Sequence, residues 1–424
     1  MRIEPAVSLT GHLAVPGDKS ISHRALLVGA VADGEMRVRG FGRSADTLST
    51  LAAVRALGVR VEDGGGDELL VHGAGLRGLR PPDGPIDCGN AGTLARLLPG
   101  LLAFQEGTFT LTGDESLSRR PMRRVAEPLL QMGAAVDAPN GRLPLTIAGG
   151  PLSPIDYTLP VASAQVKSVV LLAGLGATGR TTVVEPAPSR DHTELMLQAA
   201  GGRLVRRPTS VSIDPVDRLQ LVSVEVPGDF SSAAPFIVAA TLLPGSQLTI
   251  HDVGLNPRRT GLLDVLERMG ARIGILNRRR FGMEPVGDIE VLSAELTATE
   301  VGGDEVPLMI DELPLFALAA ACAHGPSAVT GARELRLKES DRVATVVELL
   351  RRVGLHGQGQ PDGFTIRGVP TRPKGGRVES HGDHRIAMLG AVAGLVSRDG
   401  VEIEGADSVA VSFPGFFELL DQLT

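Results

Sequence analysis

Lysine is nearly absent from this chain. Of 42 basic residues among 424, only Lys19, Lys167, Lys338 and Lys374 are lysines, and all the others are arginine. Tryptophan is missing altogether, Tyr157 is the single tyrosine, and aromatic residues make up 3%. With a formal net charge of −7, these shortages exclude a nucleic-acid binder, which needs a broad positive footprint and, for single strands, rings on which bases stack. Any anion must therefore be held locally. The two cysteines, Cys88 and Cys322, are too few for a disulfide framework or a thiolate zinc site, and they predict two buried thiols in a reducing compartment. No run approaches the roughly 18 consecutive apolar residues of a membrane span. The stretch from Met1 to Pro16 carries Glu4 and Pro5 with no signal-peptide core, so a cytoplasmic protein without membrane contact is expected.

What the chain has in quantity is small and apolar. Hydrophobic residues make up 43%, charged residues 21%, and there are 53 glycines. That composition is globular, and the length suits two domains of ordinary size. A small-residue apolar run, a glycine and then a β-like segment recur six times, at Gly34, Gly107, Gly179, Gly245, Gly325 and Gly400. The segments that follow, such as Thr108 to Leu111, read as short strands. Between them lies a second helical pattern that also closes on glycine, at Gly58, Gly133, Gly201, Gly270 and Gly354. Its apolar spacing is clearest in Val343, Val346, Val347, Leu350 and Val353, which follow the i, i+3, i+4, i+7 rule of an amphipathic helix. The first helix of each repeat, apolar all round, is predicted to be buried. Six repeats of strand, buried helix, strand, amphipathic helix and a strand pair make two domains of three repeats. The expected break lies near Pro227-Gly228, with residues 17–226 forming one domain and residues 1–16 with 227–424 the other.

Polar residues collect where the buried helices begin. The starts are Asp18-Lys19-Ser20, Asn90-Ala91-Gly92-Thr93, Ser163-Ala164-Gln165, Asp229-Phe230-Ser231, Asp311-Glu312 and Gly382-Asp383-His384-Arg385. Capping explains the Ser, Asn and Asp side chains. It does not explain Lys19, Arg24, Lys167 and Arg385, because a cation near a helix N-terminus opposes the dipole. Arginines also precede the amphipathic helices, at Arg43, Arg119, Arg120, Arg190, Arg258 and Arg259, followed by Lys338 and Arg342. One such arginine is ordinarily a solvated surface charge. Five of six helices with the same bias predict that these groups converge on a cleft between the domains, cradling a small, multiply anionic substrate. Gly17-Asp18-Lys19-Ser20 is not a P-loop, because an aspartate interrupts the Gly-Lys-Ser run. His381, Asp383 and His384 lack a fourth partner for a metal, and no Gly-x-Ser-x-Gly elbow offers a nucleophile. The carboxylates in basic surroundings are Asp311 and Glu339, whose bland alternatives are an N-cap and a surface ion pair.

Seven strings in order then carry a specific likeness: Pro16-Gly17-Asp18-Lys19-Ser20-Ile21-Ser22-His23-Arg24-Ala25, Gly89-Asn90-Ala91-Gly92-Thr93 with Arg96, Ser116-Leu117-Ser118-Arg119-Arg120-Pro121-Met122, Ser163-Ala164-Gln165-Val166-Lys167-Ser168, Arg190-Asp191-His192-Thr193-Glu194, Lys338-Glu339-Ser340-Asp341-Arg342 and Gly382-Asp383-His384-Arg385. Over essentially its whole length the sequence resembles the 5-enolpyruvylshikimate-3-phosphate synthase family. The resemblance implies a two-domain, inside-out α/β fold of six βαβαββ repeats, three per domain, with the first residues in the C-terminal domain. It implies transfer of the enolpyruvyl group of phosphoenolpyruvate to the 5-hydroxyl of shikimate 3-phosphate through a tetrahedral intermediate, with no metal and no organic cofactor, and a monomer is expected. By position, Lys19, Ser20, Arg24, Ser163, Ala164, Gln165, Ser189, Asp311 and Lys338 would hold shikimate 3-phosphate. Lys19, Gly92, Arg120, Gln165, Arg342 and Arg385 would hold phosphoenolpyruvate. Asp311 is the expected base and Glu339 the expected acid, with Lys19 a point charge that can exchange a proton. Val411 stands where some members carry a lysine. The sister transferase acting on UDP-N-acetylglucosamine usually places a cysteine in the loop matching Asp114 to Arg120, and none is there. A non-catalytic anion-binding protein is the alternative of a different class, and it would need neither Asp311 nor Glu339.

Overall fold

Helix ends follow the glycine punctuation. In the computed structural model, which describes all 424 residues, the helices Ala45–Ala56, Arg123–Gln131, His192–Ala199, Gly261–Arg268 and Arg342–Arg352 each precede one of the five glycines by two residues. Those glycines have φ between 85° and 101°, the left-handed conformation that ends a helix and that other residues adopt only at a cost. The other helix of each repeat is buried nearly throughout: Lys19–Val31, Gly92–Leu102, Ala164–Gly174, Phe230–Leu242, Leu313–Ala321 and His384–Val396. Ala, Gly, Leu and Val on all sides leave no face that prefers water. They also allow close approach. A Cβ on Gly100 would lie 2.4 Å from the carbonyl oxygen of Val169 in the neighbouring buried helix, so only glycine fits there.

Strands fall into six small sheets, five of four strands and one of three. In four repeats a leading strand runs parallel to the strand after the buried helix: Ile86–Asp87 beside Thr108–Thr112, Asp156–Thr158 beside Thr181–Val184, Glu300–Val301 beside Gly325–Val329, and Gly376–Glu379 beside Val401–Glu404. Two repeats take their leading strand from elsewhere in the chain. Thr10–Ala14 precedes the helix Lys19–Val31 yet pairs in parallel with Gln247–Gly254, whereas Ser223–Glu225 precedes the helix Phe230–Leu242 yet pairs with Asp33–Arg39.

The chain accordingly forms two units, one of Gly17–Pro227 with Arg280–Glu284, the other of Met1–Pro16, Gly228–Arg279 and Pro285–Thr424. Each has its own core. In the first it is built around the helices Lys19–Val31, Gly92–Leu102 and Ala164–Gly174, with Phe41, Phe104 and Phe109 between helices and strands. In the second, Phe230, Phe236, Phe316, Phe364 and Phe416 are buried members of the core. Strand burial alternates, as in Gln247–Gly254, because one face of each sheet covers helices and the other meets solvent.

The expected caps are present at four of the six buried helices. Asp18, Ser163, Asp229 and Asp383 accept from the backbone N–H of Ile21, Val166, Ser231 and Arg385 at 2.8, 3.4, 2.8 and 2.9 Å. The other two differ. The cap positions are Ala91 and Glu312, and neither side chain makes the capping bond. Asn90 and Asp311 have been diverted to other partners, and those partners define the site.

Candidate active site

In the unit containing residues 17–227, the starts of the three buried helices are joined by side-chain hydrogen bonds. Lys19 opens its helix with Nζ 2.8 Å from Asp46 Oδ2, which offsets its unfavourable place at the positive end of the dipole. Arg24, one turn on, donates from Nη1 to the Ser20 carbonyl at 2.9 Å, from Nε to Thr193 Oγ1 at 2.6 Å and from Nη2 to Ser168 Oγ at 3.2 Å. Ser168 Oγ in turn donates to the Ala164 carbonyl at 2.6 Å. Gln165 accepts from Arg96 Nη1 at 2.8 Å and donates to Thr93 Oγ1 at 3.3 Å. Arg120 Nη2 donates to Asn90 Oδ1 at 2.6 Å and to Ser116 Oγ at 3.3 Å, which is why Asn90 does not cap. Gly92 lies between two guanidinium groups: a Cβ there would stand 3.0 Å from Arg120 Nη1 and 3.1 Å from Arg96 Nη1. The absent side chain leaves helix N–H donors and two cations facing the same point.

The other unit carries the carboxylates. Arg342 is buried at the start of its helix and donates to Asp383 Oδ2 at 2.9 Å, to Glu339 Oε2 at 2.7 Å and to Asp311 Oδ1 at 3.2 Å. Asp311 also lies 3.8 Å from Lys338 Nζ and 3.7 Å from Arg259 Nη1, so three cations surround one carboxylate. Arg385 Nη1 donates to the Ser231 carbonyl at 3.3 Å and stands 3.8 Å from Glu312. Its Nε is buried without a hydrogen-bond partner.

Burial and charge compete at these groups. Burial pulls the Arg342 guanidinium down, yet Asp383, Glu339 and Asp311 outweigh it and raise its pKa above the ordinary value. Burial pushes Arg24 down to about 10 against the pull of Glu194 and Asp18. His23, buried and beside Lys19 and Arg24, is driven well below the usual histidine range, so it is neutral with Nδ1 2.6 Å from Thr50 Oγ1. Burial pushes the Cys88 and Cys322 thiols up to about 12, which removes both as nucleophiles at neutral pH.

Not every predicted cation belongs to these clusters. Arg43 pairs with Asp63 and donates to the Gly66 carbonyl at 2.5 Å, and Arg119 is a solvated partner of Glu115. These two are corrections to the expectation that the helix-start arginines converge, since each meets a nearby acceptor first. His381 faces Glu348 at 3.2 Å and Glu379 at 3.7 Å, and no group of three His, Cys, Asp or Glu side chains could hold a metal ion.

A model of the family EPSP synthase (3-phosphoshikimate 1-carboxyvinyltransferase) matches residues 3–420. The chain belongs to that family. It is 53% identical to the 3-phosphoshikimate 1-carboxyvinyltransferase of Alkalilimnicola ehrlichii, over 98% of this chain and 94% of that one. It is 52% identical to the Halorhodospira halophila protein of the same name, over 100% and 95%. The solved EPSP synthase of Acinetobacter baumannii superposes with a TM-score of 0.88 at 43% identity, covering 100% of this chain and 97% of that one. The enolpyruvyl transferase NikO of Streptomyces tendae, at 19% identity and TM-score 0.78 over 100% and 96% of the two chains, shares the fold alone. The enolpyruvyl transferase fold read from the sequence motifs is the fold found.

Against that EPSP synthase frame, the sequence reading passed over several residues. Arg96 follows the Gly89-Asn90-Ala91-Gly92-Thr93 string and Arg259 precedes an amphipathic helix, and neither position by itself assigns a role, although Arg96 bonds Gln165 and Arg259 faces Asp311. Asp46, the partner of Lys19, and Glu185, the partner of Lys167, carry no local signal, since nothing in their neighbourhoods marks a carboxylate as anything but a surface charge.

Proposed function

We propose that this chain transfers the enolpyruvyl group of phosphoenolpyruvate to the 5-hydroxyl of shikimate 3-phosphate, giving 5-enolpyruvylshikimate 3-phosphate and phosphate. Membership of the EPSP synthase family along the whole chain carries the reading. In it, Lys19, Ser20, Arg24, Ser163, Ala164, Gln165, Ser189, Asp311 and Lys338 hold shikimate 3-phosphate, and Lys19, Gly92, Arg120, Gln165, Arg342 and Arg385 hold phosphoenolpyruvate. Asp311 takes the proton of the 5-hydroxyl while Glu339 delivers one to the methylene carbon. The C–O bond formed at C2 gives a tetrahedral intermediate. Loss of phosphate and of a methyl proton then regenerates the enol ether. The cations around Asp311 and Gly92 stabilise phosphate before and after it leaves. The unpartnered Nε of Arg385 and the guanidinium pair at Gly92 support anion binding at those positions. The reading takes a single cytoplasmic chain as the active unit, in keeping with two free, unreactive cysteines.

The test is phosphate release from phosphoenolpyruvate with two acceptors offered separately. Release with shikimate 3-phosphate and none with UDP-N-acetylglucosamine is expected. Release with only the nucleotide sugar overturns the reading.

A further inference from the structure

Lys167 stands inside a ligand motif, yet its side chain is fully buried. Its Nζ lies 2.9 Å from Glu185 Oε1 and 2.8 Å from Glu194 Oε1, with both carboxylates also buried. Three charges in a protein interior are costly to desolvate, and an apolar side chain would fill such a position more cheaply. The arrangement calls for another reason. Glu185 supplies one, because its second oxygen accepts from the hydroxyl of Ser189, while Lys167 Nζ also donates to the Ser189 carbonyl at 3.3 Å. The backbone and the side chain of Ser189 are thus tied to the same ion pair. On the other side, Glu194 acts on the charge of Arg24, and Arg24 is linked through Thr193 Oγ1 to Ser168 Oγ at 2.7 Å. Lys167, Glu185 and Glu194 thus form one buried ion-pair cluster.

We propose that Lys167, acting through Glu185, is a positioning residue that sets Ser189 for shikimate 3-phosphate. The proposal rests on the assignment of Ser189 to that substrate. A fixed hydroxyl costs less to order when the ligand arrives, and the ion pair with Lys167 holds the Glu185 carboxylate where its second oxygen meets that hydroxyl. Ser189 is assigned to shikimate 3-phosphate and not to phosphoenolpyruvate, so the effect should fall on the constant of the first substrate.

Steady-state kinetics on four variants test the idea: Ser189→Ala, Glu185→Gln, their double mutant, and Lys167→Met, each with a thermal melt. Glu185→Gln, whose amide oxygen can still accept from Ser189 but no longer forms the ion pair with Lys167, should raise KM for shikimate 3-phosphate about tenfold, as expected when the hydroxyl loses its charged partner, and leave KM for phosphoenolpyruvate within about twofold. The double mutant should be no worse than Ser189→Ala alone, because Glu185 acts through that hydroxyl. Lys167→Met should follow Glu185→Gln in the same constant; should it not fold, the neutral, isosteric Glu185→Gln still decides. An unchanged constant in Glu185→Gln, or multiplicative effects in the double mutant, overturn the proposal while Ser189 keeps its role. No effect of Ser189→Ala overturns the assignment of Ser189 itself, and the proposal with it.

Discussion

At the scale of single residues, the scarcity of lysine acquires a physical meaning. A chain that writes arginine almost everywhere places Lys19 2.8 Å from Asp46 at the first turn of a buried helix, and a compact ammonium differs there from a planar guanidinium fork in shape, hydration and ability to give up a proton. Lys19→Arg preserves the charge but should lower kcat about a hundredfold, as expected for a group that also exchanges a proton; a near-normal turnover would show that charge alone suffices. Asp311 and Glu339 make a second case. Asp311→Ala and Glu339→Gln should each lose turnover by about a hundredfold or more while calorimetric affinity for shikimate 3-phosphate changes by less than about tenfold. Equal losses in both measurements count against roles as base and acid. His23 gives a prediction in pH. Its folded pKa is depressed by burial and by Lys19 and Arg24, so below about 6.5 the unfolded chain takes up a proton that the folded one does not. The unfolded state therefore binds more protons, and stability falls as pH drops below that value, by up to about 1.4 kcal/mol per unit. Urea unfolding from pH 7 to 5 should show a shallower loss for His23→Asn than for the parent, and parallel curves would exclude His23 as the source.

At the scale of elements, Asp383 does two jobs at one helix start. It caps His384–Val396 through the Arg385 N–H at 2.9 Å and faces the buried Arg342 guanidinium at 2.9 Å. Asparagine caps as well as aspartate but carries no charge. Asp383→Asn should therefore lose the ion pair alone, about 2 kcal/mol because Glu339 and Asp311 still face Arg342, and Asp383→Ala should lose about 1 kcal/mol more. Equal unfolding energies for the two variants would mean that the cap contributes nothing. This double use marks the limit of what the sequence could tell. An Asp, Ser or Asn before an apolar helix is legible as a cap, and at Asp18, Ser163, Asp229 and Asp383 that reading is correct. The same residue types at Asn90 and Asp311 look identical in sequence, but Arg120 and Arg342 compete for them. Propensity is local, whereas these partners lie 30 or more residues away in the chain.

At the scale of the whole molecule, the sixfold repeat was legible because its marks are local: a left-handed glycine two residues past a helix and an Ala-Gly-Leu run too apolar for any exposed face. The exchange of leading strands left no such mark. Pairing of Thr10–Ala14 with Gln247–His251 depends on loop closure across more than half of the chain, and a five-residue strand encodes nothing about where its partner lies. That exchange has a measurable consequence. Residues 1–16 supply one edge strand to the sheet of Gln247–Gly254 and, through Arg2–Ile3, another to the sheet of Val401–Glu404. Their apolar side chains Ile3, Leu9 and Leu13 belong to the core of the unit that contains those sheets. The unit of residues 17–227 closes its own corresponding sheet with Ser223–Glu225, and none of its sheets takes a strand from the first 16 residues. Deleting residues 1–16 should therefore strip hydrogen-exchange protection from Gln247–Gly254 and Val401–Glu404, while Asp33–Arg39, Thr108–Thr112 and Thr181–Val184 keep theirs. Uniform loss of protection in all five strands would mean that the two units do not unfold independently, and unchanged protection would mean that the exchanged strands contribute no stability to the sheets they complete.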